Sequence, residues 1–263
     1  MPQENCEVVR SGVTIMPEAL LDSSVVIDYL RVYICTMPAW PNNANWSAGR
    51  HEETLSTELG PIFVWTIPCG ELALPSGHLV ACDPFASMRA GGNPFLLCPK
   101  GRFPVHVTLA DVSEEQDRSH IREAYATITF RPGAATGRRP LSLVRAGETA
   151  PVVKPGEYLG FPVQAGTACF VDDELIHSCM PDERTWLKDL FENDRDDCWF
   201  ARMDDPTHIR EGIANILLPL GRNGENLILL HSGWGDGIFP VIGSFDAQGQ
   251  LLAVHIDFLV VPD

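Results

Sequence analysis

Apolar and polar positions in this chain recur with the short period of β-strands more often than with the longer period of helices. The segment "AYATITF" (124–130) alternates: Ala126 and Ile128 lie on one face and Thr127 and Thr129 on the other, which is typical of a half-buried strand. Prolines and glycines, 21 and 22 in number, divide the chain into short segments, as turns between strands do. The pattern predicts strands at 61–68, 77–82, 103–110, 123–130, 141–146, 166–171, 214–220, 226–232, 238–245 and 250–261.

The final strands have a more specific signature. The run 250–261 is apolar on both faces except at His255 and Asp257, so we expect it in the middle of a sheet. The segment "FDAQGQL" (245–251) combines an aspartate with Gly249, which favours a turn. The last two strands are therefore predicted to form a hairpin.

Helical periodicity is rarer. It is clearest in 180–197, where Asp182 can cap the first turn and four apolar residues form a stripe: Trp186, Leu187, Leu190 and Phe191. The segment 113–125 fits either a short helix or a long hairpin loop.

These elements predict an α+β protein that is mainly β, with antiparallel, sandwich-like sheets and a few short helices. Residues 1–60 are expected to form an N-terminal arm and loop, since "WPNNANWSAGR" (40–50) is the most loop-like segment of the chain. Residues 61–263 are expected to form a single β-rich domain.

The charge narrows the set of partners. Thirty-five acidic residues against 19 basic ones give a net charge of −16. Such a charge repels nucleic acid and anionic membranes and attracts basic proteins, although it also serves solubility. The start of the chain has no apolar segment of the kind found in secretory signals, so a cytoplasmic location is expected. None of the eight cysteines forms a C-x-x-C pair, which argues against a disulfide framework or a structural metal site.

The segment 182–205 is the most acidic part of the chain, with nine carboxylates against four basic residues. It is either a solvated surface or a partner-binding surface. In the second case, its carboxylates would attract a basic protein and its aromatic side chains would be buried in the interface. The residues predicted to bind a partner are Asp189, Glu192, Asp194, Asp196, Asp197, Trp199, Phe200, Asp204 and Asp205.

The segment "HSGWGDG" (231–237) places Trp234 between two glycines, which indicates either a demanding turn or a ligand site. We favour the turn, with Trp234 covering the core and Asp236 accepting hydrogen bonds from nearby amides. The alternative is a ligand site. The segment "HID" (255–257) could contribute metal-binding groups to that site, or its His255 and Asp257 could instead form a buried hydrogen-bonded pair. Its candidate residues are Asp83, His231, Trp234, Asp236, His255 and Asp257.

Common catalytic signatures are absent from the sequence, including the serine nucleophile elbow, the phosphate loop and the dinucleotide fingerprint. Ser76, His78 and Asp83 have the residue types of a nucleophile triad, but proximity in sequence is no evidence for one. No catalytic residue, cofactor or metal is therefore predicted.

Four motifs resemble a bacterial family that is known only as a domain of unknown function: "LPSGHLVACDP" (74–84), "AGTACFVDDE" (165–174), "SGWGDGIFPVIGSFDAQGQL" (232–251) and "HIDFLVV" (255–261). The resemblance spans most of residues 60–263 and implies a β-rich fold but no particular reaction. Some similar proteins are encoded beside secreted bacterial toxins, which is an analogy and not evidence from a site.

Charge, the acidic segment and the lack of catalytic signatures together favour a cytosolic immunity or antitoxin protein that neutralises a basic protein toxin through an acidic interface. The alternative is a metal-assisted hydrolase with a site around "GWGDG" and "HID". The sequence leaves the toxin or substrate and the oligomeric state open.

Overall fold

Fifteen strands and a few short helical segments make up the part of the chain that the structure describes. We describe them from a computed structural model that covers residues 6–9, 32–36, 48, 52–58, 60–154, 156–193 and 195–262. The strands are β1 (Cys6–Val9), β2 (Val32–Thr36), β3 (Glu53–Thr57), β4 (Gly60–Leu74), β5 (His78–Cys82), β6 (Leu96–Leu97), β7 (Gly101–Asp111), β8 (Ile121–Thr129), β9 (Gly137–Leu141), β10 (Glu157–Val163), β11 (Thr167–Asp172), β12 (Ile213–Leu217), β13 (Asn226–His231), β14 (Gly237–Phe245) and β15 (Leu251–Asp257). The helices are α1 (Asp173–Cys179) and α2 (Trp199–Asp204), with a 3-10 turn at Glu183–Thr185 and a π-helical turn at Leu187–Phe191 between them.

Two antiparallel sheets contain all of these strands. The larger has the order β1-β2-β10-β14-β15-β8-β7-β4-β3, and β9 pairs with β14 beside it. The smaller has the order β12-β13-β11-β5-β6. The fold is thus mainly β with antiparallel sheets, as predicted, and strands from the N-terminal 60 residues are part of the larger sheet.

The smaller sheet is buried on both faces. Alternate residues of β11 face opposite sides, so Phe170 joins the core between the two sheets while Val171 joins a second core. Residues of α1, α2 and the turns between them cover this second core. A strand buried on both sides reads as a continuous apolar run, which explains the composition of "TACFV" and "NLILL".

Several predictions from the sequence are confirmed. β15 lies between β14 and β8, so the closing run is central in its sheet. β14 and β15 form the expected antiparallel hairpin, with Gly249 at a φ of 74° in its turn. Residues 112–120 form the long loop between β7 and β8 rather than a helix.

The helix predicted at 180–197 is wrong. Asp182 caps only a 3-10 turn, and the following π-helical turn closes with a 2.9 Å hydrogen bond from the Glu192 amide to the Leu187 carbonyl. Trp186 and Phe191 are both buried in the second core. Residues five apart lie about 140° apart around a regular α-helix, so a regular helix would not bury both. The π-helical turn brings them closer to one face.

Other predictions need smaller corrections. β9 spans 137–141, before most of the predicted strand 141–146, and both β10 and α1 were missed. β8 is buried from Glu123 to Ile128 and is therefore not half-buried as its alternation suggests. The loop-like segment 40–50 lies, apart from Ala48, outside the described residues.

Cysteine chemistry departs in part from the expectation. Cys35 is disulfide-bonded, whereas six other cysteines are free thiols: Cys69, Cys82, Cys98, Cys169, Cys179 and Cys198. Among the described residues, no helix is both long and apolar enough to cross a membrane.

Candidate functional site

An open cleft of about 380 Å³ lies where the start of β8, the start of β11, the end of α2 and the end of β13 meet. Its volume is within the range of small-ligand sites. The residues that line it are Arg122, Glu123, Ala165, Gly166, Thr167, Phe200, Met203, Asp204, His231, Gly233, Trp234 and Gly235.

One wall of the cleft is the corner formed by residues 232–236. The buried Ser232 hydroxyl donates a hydrogen bond of 2.7 Å to the Gly235 carbonyl, and the Gly235 amide donates one of 3.2 Å to the Ser232 carbonyl. Gly233 and Gly235 have φ values of 64° and 103°. Because side chains disfavour such values, the glycines are needed for the turn itself.

Trp234 does not cover the core, contrary to the expectation from the sequence. Its side chain is 56% exposed. The Arg122 guanidinium lies over the indole at 5.4 Å from the ring centroid, and the edge of the His120 ring meets it at 5.8 Å. The corner therefore presents an exposed aromatic ring that its neighbours hold in place.

Two carboxylates predicted for the ligand site, Asp83 and Asp236, bind the loop before β11, which lines the cleft. Asp83 is fully buried and accepts hydrogen bonds from the amides of Gln164 at 2.8 Å and Ala165 at 2.7 Å. Asp236 accepts one of 3.1 Å from the amide of Gly166. Both carboxylates thus fix the loop before β11. Asp236 was expected to bond amides of its own turn, but the amide it accepts from lies 70 residues away in the sequence.

Glu123 is a cleft residue that the sequence analysis missed. Its side chain is almost completely buried, and its Oε1 lies 2.8 Å from Nη1 of Arg210. Burial raises the pKa of Glu123 to about 6, although Arg210 and Arg122 act in the opposite direction. The only sequence signal was a charged residue within the apolar strand "EAYATITF" (123–130).

His231 lies at the mouth of the cleft, at the end of β13. Partial desolvation lowers its pKa, while the carboxylates of Asp204 and Glu211 oppose the shift. Its ring crowds Gly212, where a Cβ atom would come within 2.5 Å of Nδ1. His231 and Trp234 were grouped only in the alternative ligand-site interpretation, and both line the cleft.

The "HID" residues lie elsewhere. His255 is buried, with Nδ1 at 2.8 Å from the Thr127 hydroxyl and Nε2 at 2.7 Å from the Ser244 hydroxyl. Asp257 accepts a 2.8 Å hydrogen bond from the amide of Leu259. Both His255 nitrogens thus have partners within the sheet. In the part of the chain that the structure describes, no three His, Cys, Asp or Glu side chains are grouped closely enough to hold a metal ion.

His255 predicts a dependence of stability on pH. Desolvation lowers its pKa from 6.5 to about 3 in the folded protein. The unfolded chain therefore binds the proton more readily, and stability is lost as the pH falls from 6.5 through 3. Between pH 7 and pH 4, we expect the free energy of unfolding to fall by about 3 kcal/mol more in the wild type than in His255→Gln. Urea unfolding at a series of pH values measures how the free energy of unfolding of each protein depends on pH. The same dependence in the wild type and the variant would contradict the prediction.

The acidic segment is only partly an exposed surface. Trp199 is buried in the second core, with its ring centroid 4.9 Å from that of Phe191, so it cannot anchor a partner. Phe200 is half-buried against Phe85. Five of the predicted carboxylates are exposed and form what we call the acidic face: Asp189, Glu192, Asp196, Asp197 and Asp204.

Some of this negative charge is compensated locally. Asp197 forms an ion pair with Arg195, and the half-buried Asp205 lies 4.0 Å from Arg202. Asp194 lies outside the described residues. Asp204 is the member of the acidic face that also lines the cleft.

Fold and site together define a mainly β protein of two antiparallel sheets with an open cleft at the ends of β8, β11 and β13. The chain belongs to the family described as "Protein of unknown function (DUF4241)", whose model matches residues 72–256 and so includes every residue that lines the cleft. No curated protein matches the chain. No solved structure matches it either.

Proposed function

We propose that this chain is a cytoplasmic binding protein of the immunity or antitoxin type, which neutralises a basic protein toxin through its acidic face. The observation that carries the proposal is that Asp204 and the exposed Trp234 line the same cleft. An acidic surface and a fixed aromatic side chain are therefore next to each other, as in interfaces with a central anchor and a charged rim.

The two parts have different roles in this proposal. The acidic face, together with the net charge of −16, accelerates the encounter with a basic partner. Trp234 supplies the anchor that the sequence analysis assigned to Trp199, because its 56% exposed ring can be buried on binding. A tryptophan held in place loses little conformational entropy when a partner covers it.

The proposal requires that a gene next to that of this chain encode a basic protein that inhibits growth, and the test begins by expressing the products of the neighbouring genes. Co-expression with this chain should restore the growth that the basic protein inhibits, and titration calorimetry should detect a complex. We expect Trp234→Ala to weaken the complex about thirtyfold. Asp204→Asn should slow association about threefold, more at low salt than at high salt.

Glu71→Gln provides a matched control. It removes one negative charge from an exposed position on β4, where the Glu71 carbonyl accepts a hydrogen bond from Asn226. Asn226 and the cleft residue His231 are at opposite ends of β13. The control should bind like the wild type. The proposal fails if the wild type neither binds nor restores growth, or if Trp234→Ala and Asp204→Asn bind as tightly as Glu71→Gln.

The alternative of a metal-assisted hydrolase has less support from the geometry. Of its six candidate residues, His231 and Trp234 line the cleft. Asp83 and Asp236 bind loop amides. The His255 ring and the Asp257 carboxylate have hydrogen-bond partners within the sheet and its following turn.

A further inference from the structure

Arg122 is a cleft residue whose hydrogen-bonding capacity is mostly unused. Its side chain makes one hydrogen bond to the described residues, of 3.2 Å from Nη1 to the Ile121 carbonyl. Its Nε is buried and has no partner there. A guanidinium can donate five hydrogen bonds, and unpaired buried donors are costly.

The neighbouring charges leave the positive charge of Arg122 without a close partner. The charge of Arg122 lowers the pKa of Glu123, but the ion pair of Glu123 is with Arg210, at 2.8 Å. No described carboxylate lies within ion-pair distance of Arg122. Arg122 instead lies over the ring of Trp234. A guanidinium in this position can bind a carboxylate or phosphate with two parallel hydrogen bonds.

The rest of the cleft suits a flat ring. Trp234 offers an exposed indole, and Phe200 and Met203 provide apolar surface within the same lining. Aromatic rings and thioethers both pack well against planar groups. The volume of about 380 Å³ is sufficient for a small aromatic molecule.

We propose that the cleft binds a small planar anion, with its ring against Trp234 and its carboxylate or phosphate on Arg122. This goes beyond the proposed function, because the acidic face and a basic partner play no part in it. Arg122 binds the anion whereas Asp204 serves the protein partner, so variants at these two positions separate the two proposals.

The charged groups around the cleft determine how binding depends on pH. Glu123 on β8 and Asp204 on α2 repel an anion, whereas Arg210 and protonated His231 attract it. Since the pKa of Glu123 is about 6, its negative charge is lost as the pH falls from 8 to 5. Protonation of His231 acts in the same direction. The affinity for an anion therefore increases towards acidic pH, whereas that for a cation would decrease.

The test is titration calorimetry of the full chain with benzoate, adenosine monophosphate and benzamidine. Benzoate and benzamidine have nearly the same shape and opposite charge, so their comparison needs no variant. We expect saturable binding of an anion, tighter at pH 5 than at pH 8, and no binding of benzamidine. Phenyl phosphate, which has the same ring as benzoate, is titrated as well, and the tighter of these two identifies the preferred anionic group as carboxylate or phosphate.

Arg122→Gln should weaken anion binding at least about tenfold. Arg131→Gln is the matched control, because Arg131 is exposed and lies beyond the opposite end of β8. The proposal is overturned if none of the anions binds, if benzamidine binds more tightly than benzoate, or if both arginine variants behave alike.

Discussion

Replacing Gly233 by alanine is expected to lower the free energy of unfolding by about 3 kcal/mol. Gly233 has a φ of 64°. A Cβ atom there would lie 2.6 Å from Cγ2 of Val260 and 3.1 Å from both Cβ of Phe258 and the Glu123 carbonyl. Strain of the backbone and overlap with the core therefore add, and the corner that carries Trp234 must move. Chemical denaturation measures the loss.

Gly235→Ala is the matched comparison. Gly235 also has a positive φ, of 103°, but a Cβ atom there would have no neighbour within 4 Å. The backbone strain alone should cost about 1 kcal/mol. If Gly233→Ala is no more destabilising than Gly235→Ala, the close approach of Gly233 to Val260 is not a constraint on this corner.

The sequence predicted most of the sheet strands because their signal is local. Apolar runs bounded by Gly and Pro identified β4, β11 and β13, and the turn chemistry around Gly249 identified the last hairpin. The helix at 180–197 failed because burial of both Trp186 and Phe191 overrode a regular period. The burial of β8 on both faces could not be predicted from its sequence either, because it depends on which other elements pack against each face.

The candidate site was predictable only where its residues are close in sequence. The glycine pattern of the corner around Trp234 is visible in the sequence. The placement of the Trp234 ring, however, depends on contacts with His120 in a loop and Arg122 on β8, which are distant in the sequence. The pair of Glu123 and Arg210 joins positions 87 residues apart. No periodicity of the sequence indicates such a pairing, so the place of Glu123 in the cleft became evident only from the fold.

Asp83→Asn is expected to destabilise the protein by about 3 kcal/mol and to loosen one wall of the cleft. The buried carboxylate accepts hydrogen bonds from four amides, those of Phe85 and Ala86 on its own turn and those of Gln164 and Ala165 on the loop before β11. An asparagine keeps one acceptor oxygen and turns a donor towards the other two amides. One pair of amides must then lose its partner in a buried site.

Amide hydrogen exchange locates this effect. In Asp83→Asn, the amides of Gln164 and Ala165 should exchange faster, by a larger factor than those of the distant strand β7. Asp246→Asn is the control, because its half-buried carboxylate also accepts amides within a turn, from Gln248 and Gln250, and should cost less than about 1 kcal/mol. If Asp83→Asn costs no more than this control, the carboxylate does not hold the wall. The loop before β11 would then be held by its other contact, from the Gly166 amide to Asp236.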